Sequence, residues 1–101
     1  MSAISVTKET FHKEVMLCSK PVLVDFWAPW CGPCRMVGPL VEEIAEERDD
    51  IKVVKVNIDE EPELAREYKI VSIPTLMVIK DGKILERASG AKPKAQINAM
   101  L

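Results

Sequence analysis

The sequence predicts an α/β fold in which a mixed β-sheet carries helices on both faces, and three features support that prediction. A nearly continuous apolar run, Pro21-Val22-Leu23-Val24-Asp25-Phe26-Trp27, has the composition of a strand covered on both sides. Apolar residues then recur at helical spacing from Met36 to Ala45. Near the C-terminus two short strand-like runs flank an Asp81-Gly82 turn. Strands alternating with helices imply parallel pairing through right-handed crossovers, and the closing hairpin adds an antiparallel pair. At 101 residues the chain has the size of one domain, 1–101, and is long enough to bury a core without staples.

Taken in order, Val6 ends a first short strand. Thr7 is an N-cap for a helix expected over about residues 8–17, whose apolar face is Phe11, Val15 and Cys18. After the strand at 21–27, Ala28-Pro29-Trp30 forms a loop into Cys31-Gly32-Pro33-Cys34. The next helix is expected to turn Met36, Val37, Leu40, Val41, Ile44 and Ala45 inward and Glu42, Glu43, Glu46 and Glu47 outward. Pro39, inside it, removes one backbone bond. Residues 51–58 alternate as a strand, and Pro62 starts a short helix with Leu64 and Tyr68 on one side. Residues 75–79 and 83–88 are the hairpin strands. Pro93 opens a last helix with Ile97, Met100 and Leu101 facing inward. The order is β-α-β-α-β-α-β-β-α, a mixed five-stranded sheet flanked by about four helices.

Composition and charge exclude several function classes. Apolar residues make up 48% and charged ones 30%, and the net charge is −2 with both signs mixed. No basic stripe is offered to nucleic acid, and no charge block marks a disordered tail. The apolar stretches are too short to span a bilayer. Met1-Ser2-Ala3-Ile4 is not a basic segment leading into a long apolar run, so a cytoplasmic protein is expected. Three cysteines, two of them close neighbours, fit thiols with a task better than a disulfide scaffold.

Cys31 and Cys34 carry that task. At a helix start, two thiols three residues apart can close into a small disulfide ring. The unpartnered N–H groups and the helix dipole favour negative charge at Cys31, which lowers its pKa and populates the nucleophilic thiolate. Cys34, one turn further in, is expected to be the more buried and to resolve the mixed disulfide. Gly32 leaves room for a substrate backbone, and Pro33 sits where its missing N–H costs little. Neither adds positive charge beside Cys31, so the pair should favour giving electrons away. The other reading of such a pair is half of a zinc or iron–sulfur site. That needs further ligands, and only Cys18 and His12 on the first helix are candidates. No metal and no bound cofactor are expected; the redox group is the Cys31–Cys34 pair itself.

Val24-Asp25-Phe26-Trp27-Ala28-Pro29-Trp30-Cys31-Gly32-Pro33-Cys34-Arg35-Met36 resembles the active-site segment of the thioredoxin family, itself a standard instance of the lowered thiol pKa. Ser72-Ile73-Pro74-Thr75-Leu76 and Lys80-Asp81-Gly82 resemble the family's later landmarks, in the expected order. The resemblance covers essentially the whole chain. It implies a thioredoxin fold and a protein-disulfide reductase, with Cys31 as nucleophile and Cys34 as resolving thiol. It also implies electrons supplied by a flavin-containing thioredoxin reductase and passed to disulfide-containing substrate proteins; the protein is read as a monomer. Ile73-Pro74 matches a segment whose proline follows a cis bond and lies against the disulfide. Trp30, Ile58, Val71, Ile73, Gly90 and Ala91 match the exposed patch where substrates dock, an extended substrate pairing with the backbone beside Pro74. There are two departures. Arg35 stands where lysine is common, and the last helix is expected to be shorter than in many relatives.

Asp25 interrupts an apolar strand. Burial should raise its pKa and suit it to proton exchange with Cys34. Lys55 shares a strand face with Ile51 and Val53, and the resemblance pairs it with that carboxylate. The alternative is that Asp25 caps a backbone group while Lys55 reaches to water. Trp27 is read as packing, Trp30 as meeting substrates, Cys18 as a core thiol, His12 as a surface residue and 42–50 as a solvated acidic face. Two rival functions remain: an oxidase or isomerase of the same fold, which Gly32-Pro33 opposes, and a binding module in a larger assembly. A reduction potential of about −270 mV, thioredoxin's own reference value, against about −180 mV separates the first. Function retained by a Cys31→Ser, Cys34→Ser double variant would support the second.

Overall fold

Both periodicities, 2 and 3.6, become elements in the computed structural model, which describes residues 2–101. The strands are β1 (Ile4–Ser5), β2 (Val22–Trp27), β3 (Lys52–Asn57), β4 (Thr75–Lys80) and β5 (Lys83–Ser89). The helices are α1 (Lys8–Phe11), which runs on into a π-helical segment (His12–Met16), then α2 (Gly32–Glu47), α3 (Pro62–Glu67) and α4 (Lys94–Ala99). The sheet order is β1-β3-β2-β4-β5. This is the five-stranded mixed sheet with four helices that the pattern implied.

β2 lies at the centre, which explains its uninterrupted apolar run. Side chains alternate between the two faces. Val22, Val24 and Phe26 join Phe11, Val15, Leu64, Met77 and Ile79 in one core. Leu23 joins Val37, Val41, Ile44, Leu76, Val78 and Ile97 in the other, beneath α2 and α4. By the same alternation Asp25 falls on the α2 side. α4 is clamped to α2 by Lys94, whose ammonium donates to Glu43 and Glu47 at 3.1 and 2.7 Å, two carboxylates one helical turn apart.

Three features correct the sequence expectation. The first helix starts as expected, with Thr7 and Thr10 exchanging capping-box bonds of 3.3 and 2.9 Å. From His12, however, it widens, and the Leu17 N–H donates to His12 O at 3.0 Å. The wider turn closes with Val15 fully buried and Leu17 turned to solvent. Antiparallel pairing also extends beyond the closing hairpin. β1 and β2 run parallel to β3, but β4 runs antiparallel to β2 as well as to β5. Phe26 pairs with Val56 of β3 and with Thr75 of β4, so β4 starts at the end of the sheet where β3 stopped, and the segment through α3 returns there instead of recrossing the sheet. Finally, Met36, expected inside, is 69% exposed.

The hairpin turn is as expected, with Asp81 and Gly82 both in the left-handed region (φ 52° and 74°). The sheet edges are blunt. β1 has two residues, while β5 places Lys83, Glu86 and Arg87 at the surface beside a register irregularity at Val78/Ile79.

Candidate active site

The start of α2 is built by the residues that end β2 and the loop after it. Cys31 is the N-cap, with extended backbone, and its sulfur accepts the Cys34 N–H at 3.2 Å. Gly32 and Pro33 occupy the first turn, where the proline removes an N–H that has no helical partner. Cys31 and Cys34 are joined in a disulfide across Cα atoms 5.2 Å apart. The expectation that Cys34 is the deeper of the two needs correction, because they are almost equally buried, at 5% for Cys31 and 4% for Cys34. Trp27, Ile58 and Ile73 pack around the pair and Ala28. The Ile73 carbonyl oxygen stands 3.7 Å from Cys31 Sγ; in the disulfide that sulfur has no hydrogen, so this is a contact rather than a hydrogen bond. What faces solvent at the mouth is Gly32 and Pro33. A side chain at Gly32 would meet nothing within 4 Å, so the space above it is free for an approaching chain.

Asp25 is 1% exposed, and its Oδ1 has no hydrogen-bond partner among the described residues. That oxygen therefore caps no backbone group. Burial pushes the Asp25 carboxyl up from 3.8 to about 6, with the positive charge of Lys55 pulling the other way. Lys55 is its register neighbour on β3, half-buried, and the Lys55 ammonium lies 5.0 Å above the Trp27 ring. The Trp27 indole N–H is also buried without a partner among the described residues. A cavity of about 380 Å³ lined by Trp27, Cys34, Gly38, Glu42 and Lys55, among others, links this region to solvent.

The residues expected in the docking patch are distributed unequally. Ile58 and Ile73 are half-buried against the disulfide cluster, whereas Trp30 is 64% and Val71 94% exposed. Pro74 is buried after a cis peptide bond, and its carbonyl accepts the Gly90 N–H at 2.8 Å, which brings Ala91, exposed, to the same end of the sheet. Thr75 Oγ1 donates to Ser72 O at 2.7 Å and braces the turn before Pro74. Arg35 donates to Pro29 O at 3.1 Å, holding the loop that carries Trp30.

Sequence reasoning missed Asp59. The Trp30 indole N–H points at both its carboxylate oxygens, at 3.0 and 3.2 Å. The turn that presents Asp59 is closed by its own N–H on Asn57 Oδ1 at 2.9 Å. The available signal was the β2–β3 register: Trp27 pairs with Asn57, so the residues just beyond each come together. Cys18 is half-buried against the core and His12 is exposed; among the described residues no three His, Cys, Asp or Glu side chains are grouped as a metal site.

A family model described as Thioredoxin matches residues 2–101. The chain is 58% identical over 96 residues to "Thioredoxin 1" of Synechococcus elongatus, covering 94% of this chain and 90% of that protein. It is 55% identical over 102 residues to "Thioredoxin" of Pyropia yezoensis, covering 100% and 95%. With "Thioredoxin M-type, chloroplastic" of Chlamydomonas reinhardtii the identity is 57% over 94 residues, covering 92% of this chain and 67% of that protein.

Proposed function

The chain belongs to the thioredoxin family, a thiol–disulfide oxidoreductase acting by dithiol exchange, and we propose that Cys31 is its attacking sulfur and Cys34 its resolving one. The observation that carries this assignment is the Cys34 N–H donated to Cys31 Sγ at the N-cap, a contact that favours negative charge on that sulfur.

In the forward reaction the Cys31 thiolate attacks one sulfur of a substrate disulfide. That S–S bond breaks, a mixed disulfide forms, and the departing sulfur takes up a proton. Cys34 then loses its proton and attacks Cys31 Sγ. The Cys31–Cys34 bond forms and the second substrate sulfur leaves as a thiol, so that two electrons and two protons have passed to the substrate. Asp25 takes the Cys34 proton. A carboxylate whose pKa is about 6 is ionised at neutral pH yet basic enough to accept it, and its place under α2 supports the role. Lys55 tempers that carboxylate by its charge.

Trp30, Gly32, Pro33, Ile58, Val71, Ile73, Pro74, Gly90 and Ala91 form the docking surface, with the backbone beside Pro74 available to an extended substrate strand. Thioredoxin-family proteins act with a thioredoxin reductase and disulfide-containing substrates. We assign this chain the same partners, one domain over 1–101, a monomeric state and a cytoplasmic location. Among the described residues no helix is long and apolar enough to cross a membrane.

The test is dithiothreitol-driven reduction of a protein disulfide. Cys31→Ser is expected to fall to the uncatalysed rate, and Cys34→Ser to accumulate a mixed disulfide visible by mass spectrometry. A Cys31→Ser variant as fast as wild type would overturn the assignment.

A further inference from the structure

α2 leaves the disulfide with an apolar stripe that faces outward. Gly32, Met36 and Leu40 are four residues apart and lie on one side of the helix. Met36 is 69% exposed, which is unusual for a large apolar side chain and contrary to the inward place its helical spacing suggested. Across from it the chain leaves β5 through Gly90, with φ 89°, and runs through Ala91, Lys92 and Pro93 into α4. Between these walls lies a groove of about 470 Å³ lined by Met36, Val37, Leu40, Ala91, Lys92 and Pro93. At about 30 Å³ per water molecule it has room for a large side chain.

Both walls begin at the reacting sulfurs. The α2 wall starts at Gly32, directly after Cys31. The opposite wall is tied to Pro74 by the Gly90 N–H, and Ile73, before Pro74, touches Cys31 Sγ through its carbonyl. A chain whose cysteine reacts at Cys31 therefore has this groove as its continuation. We propose that the groove is a substrate subsite. It takes an apolar side chain about two to four residues from the reacting cysteine of a protein substrate, with a carboxylate beside that side chain meeting Lys92.

The spacing follows from geometry. Met36 and Leu40 lie about 6 and 12 Å along the helix from Gly32, at 1.5 Å per residue. An extended polypeptide covers those distances in about two to four residues. The apolar preference follows from the lining, in which Lys92 is the one charged side chain. The acidic preference follows from Lys92 itself, half-buried and with no ion-pair partner among the described residues, whereas its neighbour Lys94 is held by Glu43 and Glu47. A methionine at the rim suits many different apolar partners, because its unbranched thioether repacks readily.

This inference rests on the dithiol-exchange reading above, and the experiment separates the two. Cysteine peptides joined by a disulfide to a fluorescent thiol are reduced under steady-state conditions. They carry Leu-Asp, Leu-Lys or Ser-Ser two to four residues from the cysteine, on either side. Wild type is expected to reduce the best Leu-Asp peptide with a kcat/KM about tenfold above Ser-Ser, mainly through KM, and Leu-Lys with an intermediate value. Met36→Lys is expected to cut the Leu-Asp to Ser-Ser ratio below about twofold, Met36→Leu to restore it, and Lys92→Glu to reverse the order of Leu-Asp and Leu-Lys. Leu85→Lys, on the exposed face of β5, should keep the wild-type ratio. Equal kcat/KM for all peptides in wild type overturns the subsite while leaving dithiol exchange intact, and no turnover of any peptide overturns dithiol exchange itself. If wild type sediments as a dimer that Met36→Lys dissociates, the groove's occupant is a second copy and the subsite proposal fails.

Discussion

Residues 22–24 and 25–27 are two halves of one strand, built under opposite rules. In the first half every side chain is apolar, fully buried and packed into one of the two cores. In the second half Phe26 alone follows that rule. Asp25 and Trp27 each bury a polar atom that has no partner among the described residues. An unpaired buried polar group costs about 1–3 kcal/mol. Such a cost tolerated twice, immediately after fully buried apolar chain, is what the proton-transfer role proposed for Asp25 would call for.

The comparison can be broken or sharpened by substitution. The largest effect is expected from Leu23→Ala, which empties a site with no exposure; it should lower the unfolding free energy by about 2–5 kcal/mol while the folded fraction reduces disulfides at the wild-type rate. Denaturant melts and turnover on the same samples check this. Asp25→Asn should act in the opposite sense. Between pH 3.8 and about 6 the folded chain holds a proton that the unfolded chain has lost, so wild-type stability declines as pH rises through that window and levels off above it. The amide has no such proton. The variant should therefore match wild type near pH 4 and exceed it by about 3 kcal/mol at pH 7.5, as read from melts across pH. The same variant should slow release of substrate from Cys31 by about a hundredfold, the low end for loss of a positioned base, in stopped-flow at neutral pH. Equal melts and equal release rates would remove the distinction between the halves.

Smaller effects should follow at the neighbours. Lys55→Met removes the charge that holds the Asp25 pKa down, so the carboxyl titration seen by carbon NMR should move above its wild-type midpoint. Asp59→Asn weakens a surface hydrogen bond to Trp30 by about 1 kcal/mol, which should appear as faster exchange of one indole N–H with little change in stability.

Asp25 was legible because a carboxylate inside a β-branched run breaks a pattern that depends on burial. The Cys31–Cys34 pair was legible because its chemistry depends on local spacing at a helix start. Features set by distant packing were not. Phe11 and Val15 satisfy both an α-helix and the wider turn, so the π-helical segment left no trace in periodicity. The apolar stripe of α2 is broader than its core-facing side, and spacing alone could not say that Met36 points out. Asp59 lies 29 residues from Trp30, and only the alignment of β2 with β3 unites them. The equal burial of the two cysteines goes with a cluster that includes Ile58 and Ile73, which segments far along the chain bring in beside Trp27.

The blunt rims of the sheet bear on how such a molecule lives among others. On the docking proposed above its trade is with extended polypeptides, the very material that adds itself to any open β margin. A two-residue strand on one side and a charged, irregular one on the other are poor templates for that addition, which favours the place beside Pro74, next to the sulfurs, that was proposed above for backbone pairing. On that proposal clients are met where they can be processed, and crowded copies find little margin by which to polymerise.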